Sequence, residues 1–127
     1  MKKFFLMATM LFSYGVINAQ IGEIKQEGSG NGYLKIYDEN GRYNGKFVSL
    51  CSSCEFVGNN SKYILIKESN GYAKIYDENG RYTGNYVNIC SKCQIKNITS
   101  SAILISEGSI TKYYDFLGKY TGKYTQN

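Results

Sequence analysis

Gly32-Tyr33-Leu34-Lys35-Ile36-Tyr37-Asp38-Glu39-Asn40-Gly41-Arg42-Tyr43 returns 39 positions later as Gly71-Tyr72-Ala73-Lys74-Ile75-Tyr76-Asp77-Glu78-Asn79-Gly80-Arg81-Tyr82. Self-similarity at a fixed period of this size marks a chain assembled from repeated supersecondary units. A shorter third copy, Tyr114-Asp115-Phe116-Leu117-Gly118-Lys119-Tyr120-Thr121-Gly122, follows with one position lost. Upstream, Ile64-Leu65-Ile66-Lys67-Glu68 matches Ile103-Leu104-Ile105-Ser106-Glu107, and more loosely the stretch Ile21 to Glu27. Three tandem units of about 39 residues result, spanning about 21–61, 62–100 and 101–127.

Within a unit, Leu34 and Ile36 alternate with Tyr33, Lys35 and Tyr37. A period of two puts the aliphatic side chains on one face of a strand. Asn40-Gly41 is a hairpin signal, because Asn-Gly tolerates the positive φ that a type I′ turn requires. Tyr43 to Leu50 is the returning strand, with Gly45 a bulge candidate. Cys51-Ser52-Ser53-Cys54 makes the next turn, and Glu55-Phe56-Val57 begins a fourth strand. The pattern predicts up to four short antiparallel strands per unit and eleven in the chain. The fold class is all-β.

Two closures fit three such units. The expected one is a small β-trefoil-like domain, and the alternative is a blade-like open or dimerising β array. Ile64-Leu65-Ile66 followed by Ala73-Lys74-Ile75-Tyr76-Asp77-Glu78-Asn79-Gly80-Arg81-Tyr82 resembles the middle of an NHL-type β-propeller blade. In that family an aliphatic strand precedes one ending in an aromatic, Asp and Asn-Gly turn. The resemblance implies a blade-like four-stranded unit and assigns no functional residue.

Residues 1–19 read as a secretory signal. Lys2 and Lys3 precede a mostly apolar run from Phe4 to Ile17, and Ile17-Asn18-Ala19 offers a small-residue cleavage context before Gln20. As a helix the run reaches about 21 Å, short of the roughly 30 Å of a hydrocarbon core, so no membrane anchor is expected. Gln20–Asn127 is then one exported, secreted or periplasmic, all-β repeat domain.

Composition narrows the chemistry. The chain has no histidine, no proline and no tryptophan, but 13 tyrosines and 14 glycines. Without histidine there is no Ser-His or Cys-His catalysis and no His-ligated metal. Of the net charge of +5, Lys2 and Lys3 carry two units, and the other basic residues are spread along the chain. Nucleic acid is therefore not an expected partner, and no cofactor is expected.

Cys51/Cys54 and Cys90/Cys93 form two C-x-x-C pairs at equivalent positions. In an oxidising compartment an even set of cysteines favours disulfides. A bridge across each turn is worth about 2 kcal/mol, and a bridge between units about 4 kcal/mol, on chain-entropy grounds. Proximity favours the local pairing, and the alternative is a four-cysteine zinc site. A redox role is not expected, because both pairs lie between strands rather than at a helix N-terminus.

Tyr33, Lys35 and Tyr37, with Tyr72, Lys74 and Tyr76, share a face opposite the aliphatics, and Tyr43 and Tyr82 follow the hairpin turns. Such rings stack on sugars or, with lysine, grip an anionic polymer; tyrosine also fills half-buried cross-strand positions for purely structural reasons. Asp38/Glu39, Asp77/Glu78 and Asp115 fall at hairpin tips, where turn chemistry accounts for them. The expected function is a non-catalytic exported binding module that recognises glycan or another surface polymer through the Tyr/Lys face. The alternatives are a self-assembling β protein that pairs through edge strands, and a small inhibitor or immunity-type protein directed at a protein partner.

Overall fold

The computed structural model describes residues 20–127, so the expected signal segment lies outside the described residues. Each repeat of the Asp-turn motif bends the chain by the same device. The backbone N–H of Gly41 donates to the Asp38 carbonyl at 3.0 Å, and the Asp38 N–H donates to the Arg42 carbonyl at 2.9 Å. Asp38 Oδ1 accepts from the backbone N–H of Asn40 and of Arg42. Asp77 and Asp115 do the same in their own turns. Among the described residues no residue other than glycine has positive φ, and Gly41 sits at +79°. This corrects the type I′ expectation: Asn40 stays at negative φ, and the turn is type I closed by a left-handed glycine bulge. The aspartate side chain supplies the turn that Asn-Gly is expected to make alone.

Eleven strands run through the described residues: β1 Ile21–Glu27, β2 Tyr33–Asp38, β3 Tyr43–Ser49, β4 Glu55–Asn59, β5 Tyr63–Lys67, β6 Tyr72–Asp77, β7 Tyr82–Asn88, β8 Cys93–Ile98, β9 Ile103–Glu107, β10 Ile110–Tyr114 and β11 Tyr120–Gln126. They form three antiparallel meanders, β1-β2-β3, β4-β5-β6-β7 and β8-β9-β10-β11, with no helix and no closed barrel among the described residues. All-β is the fold class. Gly45, at φ +84°, lies where the β2/β3 register slips between Lys35 and Tyr37, which is the expected bulge.

The sheets break one strand earlier than the sequence units. β4 pairs with β5, and β8 with β9, so the strand expected to end each unit instead opens the next sheet. The two Cys-x-x-Cys turns are therefore the crossings from one sheet to the next. Cys51 is bonded to Cys54 and Cys90 to Cys93, which fits an oxidising, exported environment. Asn31 Nδ2 holds the first crossing by donating to the carbonyls of Cys51, Ser52 and Cys54 at 2.7–2.9 Å.

Two hydrophobic layers join the three sheets. Leu34, Ile36 and Val48 of the first sheet pack with Ile64 and Ile66 of β5. Leu65, Ala73, Ile75 and Val87, on the other face of the middle sheet, pack with Ile103 and Ile105 of β9. β5 is thus buried on both faces, which is why Ile64-Leu65-Ile66 is unbroken rather than alternating. A hairpin tip from each later sheet also rests on the sheet before it. A Cβ on Gly80 would lie 2.8 Å from the Phe47 carbonyl oxygen, and one on Gly118 would overlap that of Tyr86. Only glycine admits this approach while also taking positive φ.

The two outermost faces differ from the faces between sheets. Ile64 and Ile66 lie opposite Tyr76 and Lys74, and Ile103 and Ile105 lie opposite Tyr114 and Lys112. At the same register in the first sheet stand Glu23, opposite Tyr37, and Lys25, opposite Lys35, both exposed. At the far end, Thr111 pairs with Thr125 where the middle sheet pairs Ala73 with Val87. Thr111 is buried, and its hydroxyl donates to Asn127 Oδ1. Both ends of the stack carry polar groups where the interior carries aliphatics.

Candidate ligand-binding surface

The register of each second hairpin gathers the same side chains three times. On the first sheet Lys35 lies opposite Phe47, and Tyr37 opposite Tyr43. On the middle sheet Lys74 lies opposite Tyr86, and Tyr76 opposite Tyr82. On the third, Lys112 lies opposite Tyr124, and Tyr114 opposite Tyr120. Ring centroids are 5.7 Å apart for Tyr37–Tyr43, 5.6 Å for Tyr76–Tyr82 and 5.7 Å for Tyr114–Tyr120, so the geometry is held constant. Tyr33 meets Phe47 edge-on at 5.8 Å, and Tyr72 meets Tyr86 at 4.8 Å. In the third sheet Ile110 stands where the others have tyrosine.

The lysine ammonium groups lie over rings of the return strand. Lys35 Nζ is 5.0 Å from the Tyr43 centroid, Lys74 Nζ 5.0 Å from Tyr82, and Lys112 Nζ 5.3 Å from Tyr120. Each also donates to a glutamate: Lys35 to Glu27 at 3.2 Å, Lys74 to Glu68 at 3.0 Å and Lys112 to Glu107 at 2.9 Å. Those hydrogen bonds favour the charged ammonium and raise all three lysine pKa values, against a smaller opposing effect of burial. Burial raises Tyr76, because it disfavours the phenolate.

Both kinds of shift act in the same direction on stability. A lysine with a raised folded pKa contributes its full stabilisation below the unfolded value and loses it as pH rises through the folded value. A tyrosine kept neutral by burial likewise costs the fold once the unfolded chain can ionise. The expected result is a chemical-denaturation midpoint that stays level from pH 7 to about pH 9.5 and falls above about pH 10. A midpoint that rises across that upper range contradicts the pairing.

The sequence-predicted residues divide into two groups. Tyr76 packs against the layer between the first and middle sheets, as its counterpart Tyr114, which is not among the predicted site residues, packs against the layer between the middle and third. These tyrosines are structural. Tyr33, Tyr37 and Tyr72 are half-buried and back the outer rings, while Lys35 and Lys74 hold the centre of each cluster. The open rings are Tyr43 and Phe47 (42% and 53% exposed), Tyr82 and Tyr86 (41% and 46%), and Tyr120 and Tyr124 (43% and 55%). Sequence reasoning does not single out Phe47, Tyr86, Tyr120 or Tyr124, nor Lys112 and the three glutamates. Their signal is the return strand, where Tyr43 and Phe47 lie four apart and recur as Tyr82/Tyr86 and Tyr120/Tyr124. On the first sheet Tyr33, Lys35, Tyr43 and Phe47 line an open recess of about 400 Å³.

Asp38, Asp77 and Asp115 are committed to turns, as above, and the glutamates to lysines. The bonded Cys51, Cys54, Cys90 and Cys93 carry no thiolate, which is the form that zinc binds. No family model matches this chain, no curated protein is similar to it, and no solved structure matches it. The likeness of the repeat to propeller blades rests on the short motif alone.

Proposed function

We propose that this is an exported, non-catalytic binding module that holds a polymer along its row of aromatic clusters. The observation that carries the reading is the threefold recurrence, at constant register, of one lysine and two open rings on successive sheets. Packing alone explains Tyr76 and Tyr114, but it does not explain six large rings left about half in water. Tyrosine presents a rigid apolar face with a hydroxyl at its edge and loses little conformational entropy on binding, which suits a contact surface. Export rests on Lys2-Lys3, the apolar Phe4–Ile17 run and the Ala19/Gln20 context, with which the two local disulfides agree.

The same reading takes the chain as three blade-like units of about 39 residues in an open array. The separate sheets, the repeated glycine-tip contacts and the two layers between sheets support it over a trefoil-like closure.

The test is retention of the mature protein on immobilised polysaccharides, both neutral and acidic, and on cell-envelope preparations. Retention on one of these, lost when Tyr82 and Tyr86 are both replaced by alanine in a protein that still unfolds cooperatively, supports the reading. Absence of retention on every polymer overturns it.

A further inference from the structure

Resting on the binding-module reading, we infer that the ligand is an uncharged polysaccharide chain and not a polyanion. The contribution of lysine decides this. Polyanions bind through unpaired ammonium and guanidinium groups whose pairing releases condensed counterions. Here the ammonium at the centre of every cluster already has an anion: Glu27 for Lys35, Glu68 for Lys74 and Glu107 for Lys112. Each central lysine–glutamate pair is electrically neutral, and the first cluster adds Lys25, whose Nζ lies 4.8 Å from the Tyr37 centroid. A sulfate or uronate brought to one of these lysines would meet the carboxylate already held there, which repels the incoming charge.

What remains on offer is ring area, with polar atoms at its margins. The residues opposite the three lysines, Phe47, Tyr86 and Tyr124, are the most exposed rings in their own sheets. Apolar ring faces suit the C–H faces of pyranose units, and the flanking ion pair supplies a donor and an acceptor for sugar hydroxyls. A single cluster offers only two open rings, so one site binds weakly. Stacked sheets lie about 10 Å apart at their closest, a disaccharide-scale step, so one chain that reaches neighbouring clusters gains by effective concentration. Affinity therefore depends on chain length, and short saccharides bind poorly.

The experiment uses the mature protein in affinity electrophoresis through gels loaded with soluble neutral glucans, xylan or mannan, and in parallel with hyaluronan, polygalacturonate or heparin, each at low and high salt. The expected result is retardation by at least one neutral polymer that survives high salt. Phe47→Ala, Tyr86→Ala and Tyr124→Ala should each weaken it by about five- to tenfold, and the triple variant should abolish it. All three side chains are exposed, and matched circular dichroism spectra and unfolding midpoints establish that the variants fold. Stronger retardation by a polyanion that disappears in high salt overturns the inference and leaves the binding-module reading intact. Retardation by no polymer of either kind removes both.

Discussion

Replacing Ile75 by alanine is expected to lower the free energy of unfolding by about 2–5 kcal/mol. Ile75 has no solvent exposure and sits in the layer where Leu65, Ala73 and Val87 meet Ile103 and Ile105. Truncation removes its transfer free energy and leaves a void between two sheets. Each sheet is held by its own hydrogen bonds, so neither collapses readily into that space. A domain of this size has a total stability on the order of 5–15 kcal/mol, so the loss is a large fraction of the whole. The control is Thr125→Ala on the outward face of the third sheet, where the side chain is exposed and the change should stay within about 0.5 kcal/mol. Urea titrations of the two variants measure both quantities. Equal effects at Ile75 and Thr125 contradict the assignment of an inner and an outer face.

The second large effect is expected at Gly118. Glycine there has φ +87°, and a Cβ would overlap the carbonyl oxygen of Tyr86 in the neighbouring sheet. Gly118→Ala therefore adds intersheet overpacking to the backbone strain, for a total of about 2–4 kcal/mol. Gly41 occupies the equivalent turn of the first sheet with φ +79° and has nothing within 4 Å of its would-be Cβ. Gly41→Ala should show the strain alone, about 1–2 kcal/mol. The difference between the two variants reads the contact between sheets directly. Two equal losses would mean that the third sheet does not rest on the middle one at this point.

Much of this architecture is legible in the sequence because it is local. Strand positions follow from period-two alternation, the Gly45 bulge from an isolated glycine in a strand, and the Cys-x-x-Cys pairing from four residues of chain. The turn type differs from the expectation, although its cause is in view. Asp38 stands two before Asn40 and four before Arg42, within reach of both backbone N–H groups, and that acceptor removes the need for a left-handed asparagine. The sheet boundaries are hidden for a different reason. β5 is apolar on both faces, so its sequence does not say whether its second neighbour in the sheet precedes or follows it. Half of the ring cluster escapes sequence reading because Phe47 and Tyr86 become neighbours of Lys35 and Lys74 only through cross-strand register, which spacing within one strand does not contain.

The charged and hydroxylated outer surfaces have a bearing on size. Glu23 and Lys25 at one extreme, and Thr111 and Thr125 at the other, stand where the middle four strands carry aliphatics, so only the middle sheet presents greasy matching surfaces on both sides. The middle segment is thus the one interchangeable tile. Lengthening the protein requires only that this tile be duplicated, with both terminators left as they are, and each added tile would bring one more lysine and two more aromatic rungs to the ladder.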